Sequence, residues 1–174
     1  MSADYFVVRL FDGALWAVPL TRVAETLAIE KSAICSLPGV DPALLGVINQ
    51  RGQLLWVMEL QVALGTPALV PNSRPDATLT LLELVHSSAT SHSVSGNARL
   101  ACVVADLVEI AAFNAETFIP PSEKIFAQLG CSERGRSLLR GVTEYRSETV
   151  AVLDADALFD ALHHSHSPRS LVHS

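Results

Sequence analysis

Short runs in which apolar and polar residues alternate recur along the chain and predict β-strands. The first run places Phe6, Val8 and Leu10 on one face of a strand. Asp12 and Gly13 follow, a pair typical of tight hairpin turns, and a second apolar run comes after them. The chain is therefore predicted to open with a β-hairpin.

The same pattern continues with only short stretches of predicted helix. LLGVINQRGQLLWVMEL predicts strand, turn and strand, and Gly52 suits the turn because glycine adopts backbone conformations that other residues resist. TLTLLELV, RLACVVADLVEIAAF and SETVAVLDADALFDAL predict further strands, the last leading into a helix, whereas RVAETLAI fits a helix or a strand. LQVALG predicts a short helix ending at Gly65. Residues 66–77 predict a connector, 86–97 a long mobile loop and 125–139 a short helix or more loop. This order predicts an all-β barrel or sandwich.

An internal repeat appears when the sequence is shifted by 95 residues. GVINQRGQLLWVMEL, starting at Gly46, then lies without a gap over GVTEYRSETVAVLDA, starting at Gly141. Arg51 meets Arg146 in this alignment. Upstream, VAETLAIEKSAICSLP resembles LVEIAAFNAETFIPP, so the same features occur twice in the same order.

The repeat predicts two related β lobes, joined near residues 66–76. Lobe one is expected at about 17–70 and lobe two at about 78–150, with terminal elements crossing between them. Residues 163–174, HHSHSPRSLVHS, are predicted to form a disordered tail.

Composition and charge exclude several classes of partner. The formal net charge is −6 and the Lys and Arg residues form no cluster, which argues against binding to nucleic acid or to an anionic membrane surface. No apolar run reaches the roughly 18–20 residues that a membrane span needs. The N-terminus has no basic segment followed by an apolar one, so no signal peptide is predicted. Cys35, Cys102 and Cys131 are far apart and are expected to be reduced thiols of a cytoplasmic protein.

Motifs for catalysis, cofactors or metals are absent from the sequence. It contains no GxSxG, HExxH, GxGxxG or P-loop, so no enzyme activity and no cofactor are predicted. A small hydrolase on a β-barrel scaffold remains an alternative, because catalytic triads assemble in space rather than in sequence. His163, His164 and His166 are able to hold a soft divalent metal, but a tail that must order itself for each ligand bond favours no metal site.

Against this background, the chain resembles the CheW-like domain of bacterial chemotaxis coupling proteins. The resemblance begins with the strand hairpin and the following Val23 and Glu25, and passes through the proline loop at Pro38. Its most specific part is GVINQRG, with an Asn-x-Arg-Gly block, which an apolar strand and an acidic residue follow. RLACVVADLVEI, FIPPSEK and GVTEYRSETVAVLDADALF fit the second half of the family pattern. Gln50, Trp56 and Glu59 depart from it.

The resemblance covers residues 4–162 as a single domain. It implies two related five-stranded SH3-like β-barrels with short helices, around a shared apolar core. It implies a non-catalytic adaptor that couples the regulatory domain of a CheA-type histidine kinase to the cytoplasmic tip of a methyl-accepting chemoreceptor, with chemotaxis or pilus-based motility as output. A protein of this fold that binds only the kinase is a further alternative. The protein-binding residues that it implies are Val23, Glu25, Gly46, Asn49, Arg51 and Gly52.

Arg51 is the residue for which two interpretations compete most directly. As a docking residue it is expected to pair with Glu25 near the receptor-facing surface, as the resemblance implies, while its stem packs on apolar neighbours. As a turn residue it contacts no partner. Gly46 is predicted to meet a backbone requirement, because Gly141 occupies the matching place. Trp56 is predicted to pack in the core or between the lobes, with an exposed anchor as the alternative.

Overall fold

The structure is a computed structural model that describes residues 1–66, 75–86 and 98–165, with side chains described up to residue 162. Most of the predicted connector, residues 87–97 of the predicted loop and the tail from residue 166 lie outside these ranges. The described chain is mainly β and forms two five-stranded sheets, which confirms the predicted fold class. RVAETLAI, which fitted two interpretations, is a strand.

Each sheet takes its strands from separate parts of the chain. Sheet one contains, in spatial order, β3 (Val23–Glu30), β6 (Thr78–Val85), β7 (Arg99–Val104), β5 (Gln53–Glu59) and β4 (Leu44–Gln50). Sheet two contains β8 (Asp106–Asn114), β1 (Ser2–Arg9), β2 (Leu15–Pro19), β10 (Glu148–Leu153) and β9 (Leu139–Tyr145). The N-terminal hairpin therefore completes the sheet that the C-terminal strands form.

The two sheets repeat each other strand by strand. Each contains one parallel pair, β5 with β7 in sheet one and β10 with β2 in sheet two. In sheet one, the chain leaving edge strand β3 returns to edge strand β4, where Cys35 and Val47 exchange backbone hydrogen bonds of 2.8 and 3.0 Å. Ile119 and Val142 do the same between β8 and β9 in sheet two. This return joins both edges of each sheet, as in a small β-barrel.

The sheets do not coincide with the predicted lobe limits of about 17–70 and 78–150. Strands β6 and β7 lie within the predicted lobe two but belong to sheet one. Strand β1 lies before both predicted lobes and pairs with β2 and β8 in sheet two. The visible repeat covers β3 to β5 and β8 to β10, and no sequence match marks the other strands.

Short helices lie beside the sheets. They are α1 (Leu60–Ala63), α2 (Glu123–Leu129), α3 (Glu133–Arg136) and α4 (Ala155–Ser165). Helix α4 continues past residue 163, where the disordered tail was predicted to start. Helices α2 and α3 fall in the segment predicted as a short helix or a loop, and the Ser122 and Ser132 hydroxyls cap their first turns.

The apolar side chains form one shared core and a smaller core within each sheet. The shared core takes Val8 and Trp16 from sheet two and Met58, Leu82 and Leu100 from sheet one. Strand β6 is buried on both faces, with Leu82 and Leu84 in the shared core and Leu79 and Leu81 in the core of sheet one. Glu83 lies on the same face of β6 as Leu79 and Leu81, and its side chain is therefore directed toward the core of sheet one.

Candidate protein-docking site

The site begins at the tight turn between β4 and β5. Arg51 and Gly52 both have positive φ, 53° and 81°, as a two-residue hairpin loop of type I′ requires. The Asn49 side-chain oxygen accepts a 2.9 Å hydrogen bond from the Gly52 amide and holds the turn. Left-handed backbone is uncommon for arginine, so this turn places Arg51 in a conformation that its side chain does not favour.

Arg51 forms the predicted ion pair with Glu25. Its Nη2 donates to Glu25 Oε2 at 3.0 Å. The Arg51 side chain is 75% exposed and that of Glu25 is 26% exposed, so the cation projects into solvent from a half-buried carboxylate. The pair joins the β4–β5 turn to β3. Strands β3 and β4 form the two edges of sheet one.

A second ion pair, which the sequence did not predict as part of a site, lies beside the first. Glu83 faces Glu25 across strands β6 and β3, and is fully buried. Arg99 Nε donates to Glu83 Oε1, and Arg99 Nη1 donates to Gln53 Oε1 at 2.8 Å. Glu83 Oε2 has no hydrogen-bond partner among the described residues. The hydrogen bond to Glu83 raises the pKa of Arg99 against the opposing effect of burial, and the charges of Glu83 and Glu25 add to the rise.

The other two predicted residues, Val23 and Gly46, lie within strands β3 and β4. Val23 is the first residue of β3, half-buried against the shared core, and precedes Glu25 by two residues. Gly46 is buried in β4 with φ of 146°, and an added Cβ would lie 2.2 Å from the Cys35 carbonyl oxygen. The structure thus brings Glu25, Asn49, Arg51 and Gly52 together, whereas the surroundings of Gly46 are those of a packing residue.

Sheet two carries a matching turn. Arg146 and Ser147, between β9 and β10, have φ of 49° and 66°. Arg146 lies 2.7 Å from Glu109 on β8, as Arg51 lies by Glu25 on β3. The Arg146 guanidinium also stacks 5.0 Å from the centre of the Tyr145 ring. The repeat therefore extends from the sequence to the ion pair.

An apolar groove lies beside the second ion pair, because Arg99 forms part of its lining. It is lined by Leu44, Trp56, Ala98, Arg99, Leu100, Phe159 and Leu162. Trp56 is half-buried and packs against the shared core, as the packing interpretation predicted. Leu54, two residues earlier on β5, is 76% exposed.

The described part of the chain carries neither a metal-ligand cluster nor a helix that could span a membrane. Residues 1–66, 75–86 and 98–162 contain no cluster of three or more metal-ligand side chains. The candidate metal ligands His163, His164 and His166 lie outside the described side chains. His86 lies 3.7 Å from Asp156 and packs edge-on against Phe159. Among the described helices, none has the length and apolar character of a membrane span.

The three cysteines are free and differ in burial. Burial raises the pKa of the Cys102 thiol to about 12. Burial also raises the pKa of Cys131, where the Asp12 charge adds to the effect and the Arg136 charge opposes it. Cys35 is exposed. Because the thiolate is the nucleophile, neither buried thiol has the character of a catalytic one.

We expect a thiol reagent at about pH 8 to modify Cys35 rapidly and to leave Cys102 unmodified in the folded protein. Roughly one Cys102 thiol in ten thousand is ionised there, and its side chain is closed to solvent. The measurement is the time course of labelling, followed by mass spectrometry of the labelled peptides. Cys35→Ser should remove the fast phase, and denaturant should expose the rest. Rapid labelling of Cys102 without unfolding would contradict the prediction.

Comparisons with known proteins add to this geometry. Residues 4–163 match the family model described as the CheW-like domain. The fold is similar to the crystal structure of the scaffolding protein TtCheW from Thermoanaerobacter tengcongensis, with a TM-score of 0.63 and 16% identity. That match covers 91% of this chain and 88% of the other. A search of curated protein sequences gives no match.

Proposed function

Because this chain belongs to the CheW-like domain family, whose members are non-catalytic scaffolds of chemotaxis, we propose that it couples a CheA-type histidine kinase to a chemoreceptor. The observation that carries this proposal is the exposed Arg51–Glu25 pair at the end of sheet one. The partners are the regulatory domain of the kinase and the cytoplasmic tip of the receptor, and the setting is the cytoplasm. The output is motility, driven by flagella or by pili.

The Arg51–Glu25 pair has the properties of a docking contact. An exposed ion pair contributes only about 0–1 kcal/mol to stability, so folding alone gives little reason for it. The turn holds Arg51 in a left-handed backbone conformation and so limits the directions in which its guanidinium points. A guanidinium fixed in this way offers several donors to carboxylates or carbonyls of a partner, at a reduced entropic cost of binding.

The surroundings of the pair suit a protein partner. Leu54 is exposed on the strand that follows the turn, and the apolar groove with Trp56 lies further along the same strand. Protein interfaces commonly combine a desolvated apolar centre with a polar rim. We assign Leu54 and the groove to the apolar part of the docking surface, and the Arg51–Glu25 pair to its rim.

The test is a titration of the purified protein with two partners from the same genome, the kinase regulatory domain and a receptor-tip fragment. We expect wild type to bind both with micromolar or tighter Kd. We expect Arg51→Ala, at an unchanged unfolding midpoint, to lose at least about tenfold in affinity for one of them, which corresponds to about 1.4 kcal/mol.

Arg146→Ala is the matched control, since Arg146 occupies the same turn position in sheet two and also pairs with a glutamate. It should bind the partner that Arg51→Ala loses as wild type does. Val23→Met probes the start of β3 beside the pair. Full affinity of a folded Arg51→Ala for both partners would contradict the assigned site. Binding to the kinase without binding to any receptor fragment would favour the kinase-only alternative.

A further inference from the structure

The ion pair between the buried Glu83 and the partly exposed Arg99 is not a requirement of this fold, because the second sheet does without it. By strand register, Val7 of β1 occupies the place of Glu83, since Val7 faces Glu109 as Glu83 faces Glu25. Leu15 of β2 occupies the place of Arg99. Leu15 precedes Trp16, which pairs with Ala151 of β10, just as Arg99 precedes Leu100, which pairs with Trp56 of β5. Val7 and Leu15 are both buried, so the same position in a sheet closes with two apolar side chains.

Physical considerations give the pair little value for stability. Removing the Glu83 carboxylate from water costs free energy that its attraction to the partly exposed Arg99 only partly returns, and replacing a buried ion pair by apolar residues is often neutral or stabilising. Here one Glu83 oxygen also lacks a hydrogen-bond partner among the described residues, which adds to the cost. The presence of the pair in sheet one alone therefore points to a role in what sheet one binds.

The contacts connect this pair to the proposed docking site. Glu25 and Glu83 face each other on adjacent strands, where two carboxylates repel unless each has its own cation. Arg51 forms an ion pair with Glu25. Arg99 forms an ion pair with Glu83 and also donates a hydrogen bond to Gln53. The hydrogen bonds of Arg99 thus go to Glu83 and Gln53, although the Glu25 charge also acts on it, and the ion-pair partner of Glu25 is Arg51.

We propose that Glu83 and Arg99 are positioning residues that set the placement of Glu25, and through it the direction of the Arg51 guanidinium at the docking surface. This inference rests on the proposed function, because it assigns the pair to the same site. Glu83 and Arg99 touch no partner in this account. They act by fixing which carboxylate each arginine binds, and Gln53 supports them from the outside.

The test transplants the residues of sheet two into sheet one. Glu83→Val with Arg99→Leu should give a protein that folds and unfolds at a midpoint equal to or above that of wild type. Its affinity for the partner that depends on Arg51 should fall at least about tenfold. In this background, Arg51→Ala should cost less than about threefold further, whereas it costs about tenfold or more in wild type. A purely structural role of the pair would leave the effect of Arg51→Ala unchanged.

A second variant keeps the test decisive if the double replacement folds poorly. Gln53→Leu removes only the outer hydrogen bond to Arg99 and should weaken the same binding by about threefold. A folded double variant that binds as tightly as wild type, or an equal cost of Arg51→Ala in both backgrounds, overturns the positioning role alone. Wild type that binds neither partner instead refutes the proposed function, and this inference with it.

Discussion

Gly46→Ala should destabilise the protein by roughly 3–5 kcal/mol, through steric overlap and backbone strain together. An added Cβ would lie 2.2 Å from the Cys35 carbonyl oxygen and 2.7 Å from its carbon. Both atoms are backbone, and that carbonyl accepts the 3.0 Å hydrogen bond from Val47 that joins the edges of sheet one. No rotamer change relieves the contact, and the φ of 146° is one that residues with a side chain rarely adopt.

Urea unfolding checks this expectation, with a fall in Tm of about 10 °C or more as the thermal counterpart. Two glycines serve as controls. Gly52→Ala introduces the strain of a positive φ with nothing within 4 Å, and should cost about 1 kcal/mol. Gly141→Ala, at the repeat position, places its Cβ 3.2 Å from the Ile119 carbonyl oxygen and should cost less than Gly46→Ala. A Gly46→Ala protein within about 1 kcal/mol of wild type would show that β4 shifts to accept the methyl group.

The comparison of Gly46 with Gly141 refines the prediction made from the repeat. The matching glycines predicted a shared backbone requirement, and both do lie beside the bridge that closes their sheet. Only Gly46 has a positive φ, however, and the space around Gly141 is larger. A residue that recurs in both copies of a repeat marks an equivalent position. Whether that position tolerates a larger side chain depends on interatomic distances, which differ between the two copies.

The strongest sequence predictions concern local features. Asn49, Arg51 and Gly52 predict their turn because a two-residue hairpin loop has narrow backbone requirements that short motifs express. The ion pair with Glu25 was implied by family resemblance and is present. The assignment of strands to sheets was not predictable in the same way, because β1 pairs with β8 about a hundred residues away and no local pattern marks that pairing.

The inserted helices were also difficult to predict. Cys35 and Val47 are 12 residues apart, whereas Ile119 and Val142 are 23 apart, so sheet two carries extra chain at this point. Helices α2 and α3 occupy it, and Arg134 of α3 forms a two-pronged contact of 2.8 and 3.2 Å with the buried carboxylate of Asp41. Helices of four and seven residues have too little periodicity to recognise, and they are held by such contacts rather than by propensity.

The sequence pattern around Glu83 predicts a strand correctly but does not reveal that Glu83 is buried. In TLTLLELV it stands as a single charge among apolar residues, which suggests a solvent-facing position on a half-buried strand. The strand is buried on both faces, so Glu83 points into sheet one and its cation comes from the next strand. A lone carboxylate in an apolar run, followed by an arginine at the start of the next run, is the signal that could have revealed the pair.

Arg99→Leu alone should destabilise the protein by about 3–5 kcal/mol, because it leaves the buried carboxylate of Glu83 without its cation. This result would contrast with the double replacement by the residues of sheet two, in which no charge remains to be compensated. Equilibrium unfolding of wild type, Arg99→Leu and the double variant at one pH measures the two differences in the free energy of unfolding.

Arg51→Leu is the control that separates burial from charge. It removes the same charge from a glutamate in the same sheet, but Glu25 is partly exposed and water replaces much of the lost interaction. Its cost should not exceed about 1 kcal/mol. Equal losses for Arg99→Leu and Arg51→Leu would mean that water reaches Glu83 in solution. The Glu83–Arg99 pair would then be an ordinary surface contact whose burial costs little free energy. Its presence would no longer point to a role in binding.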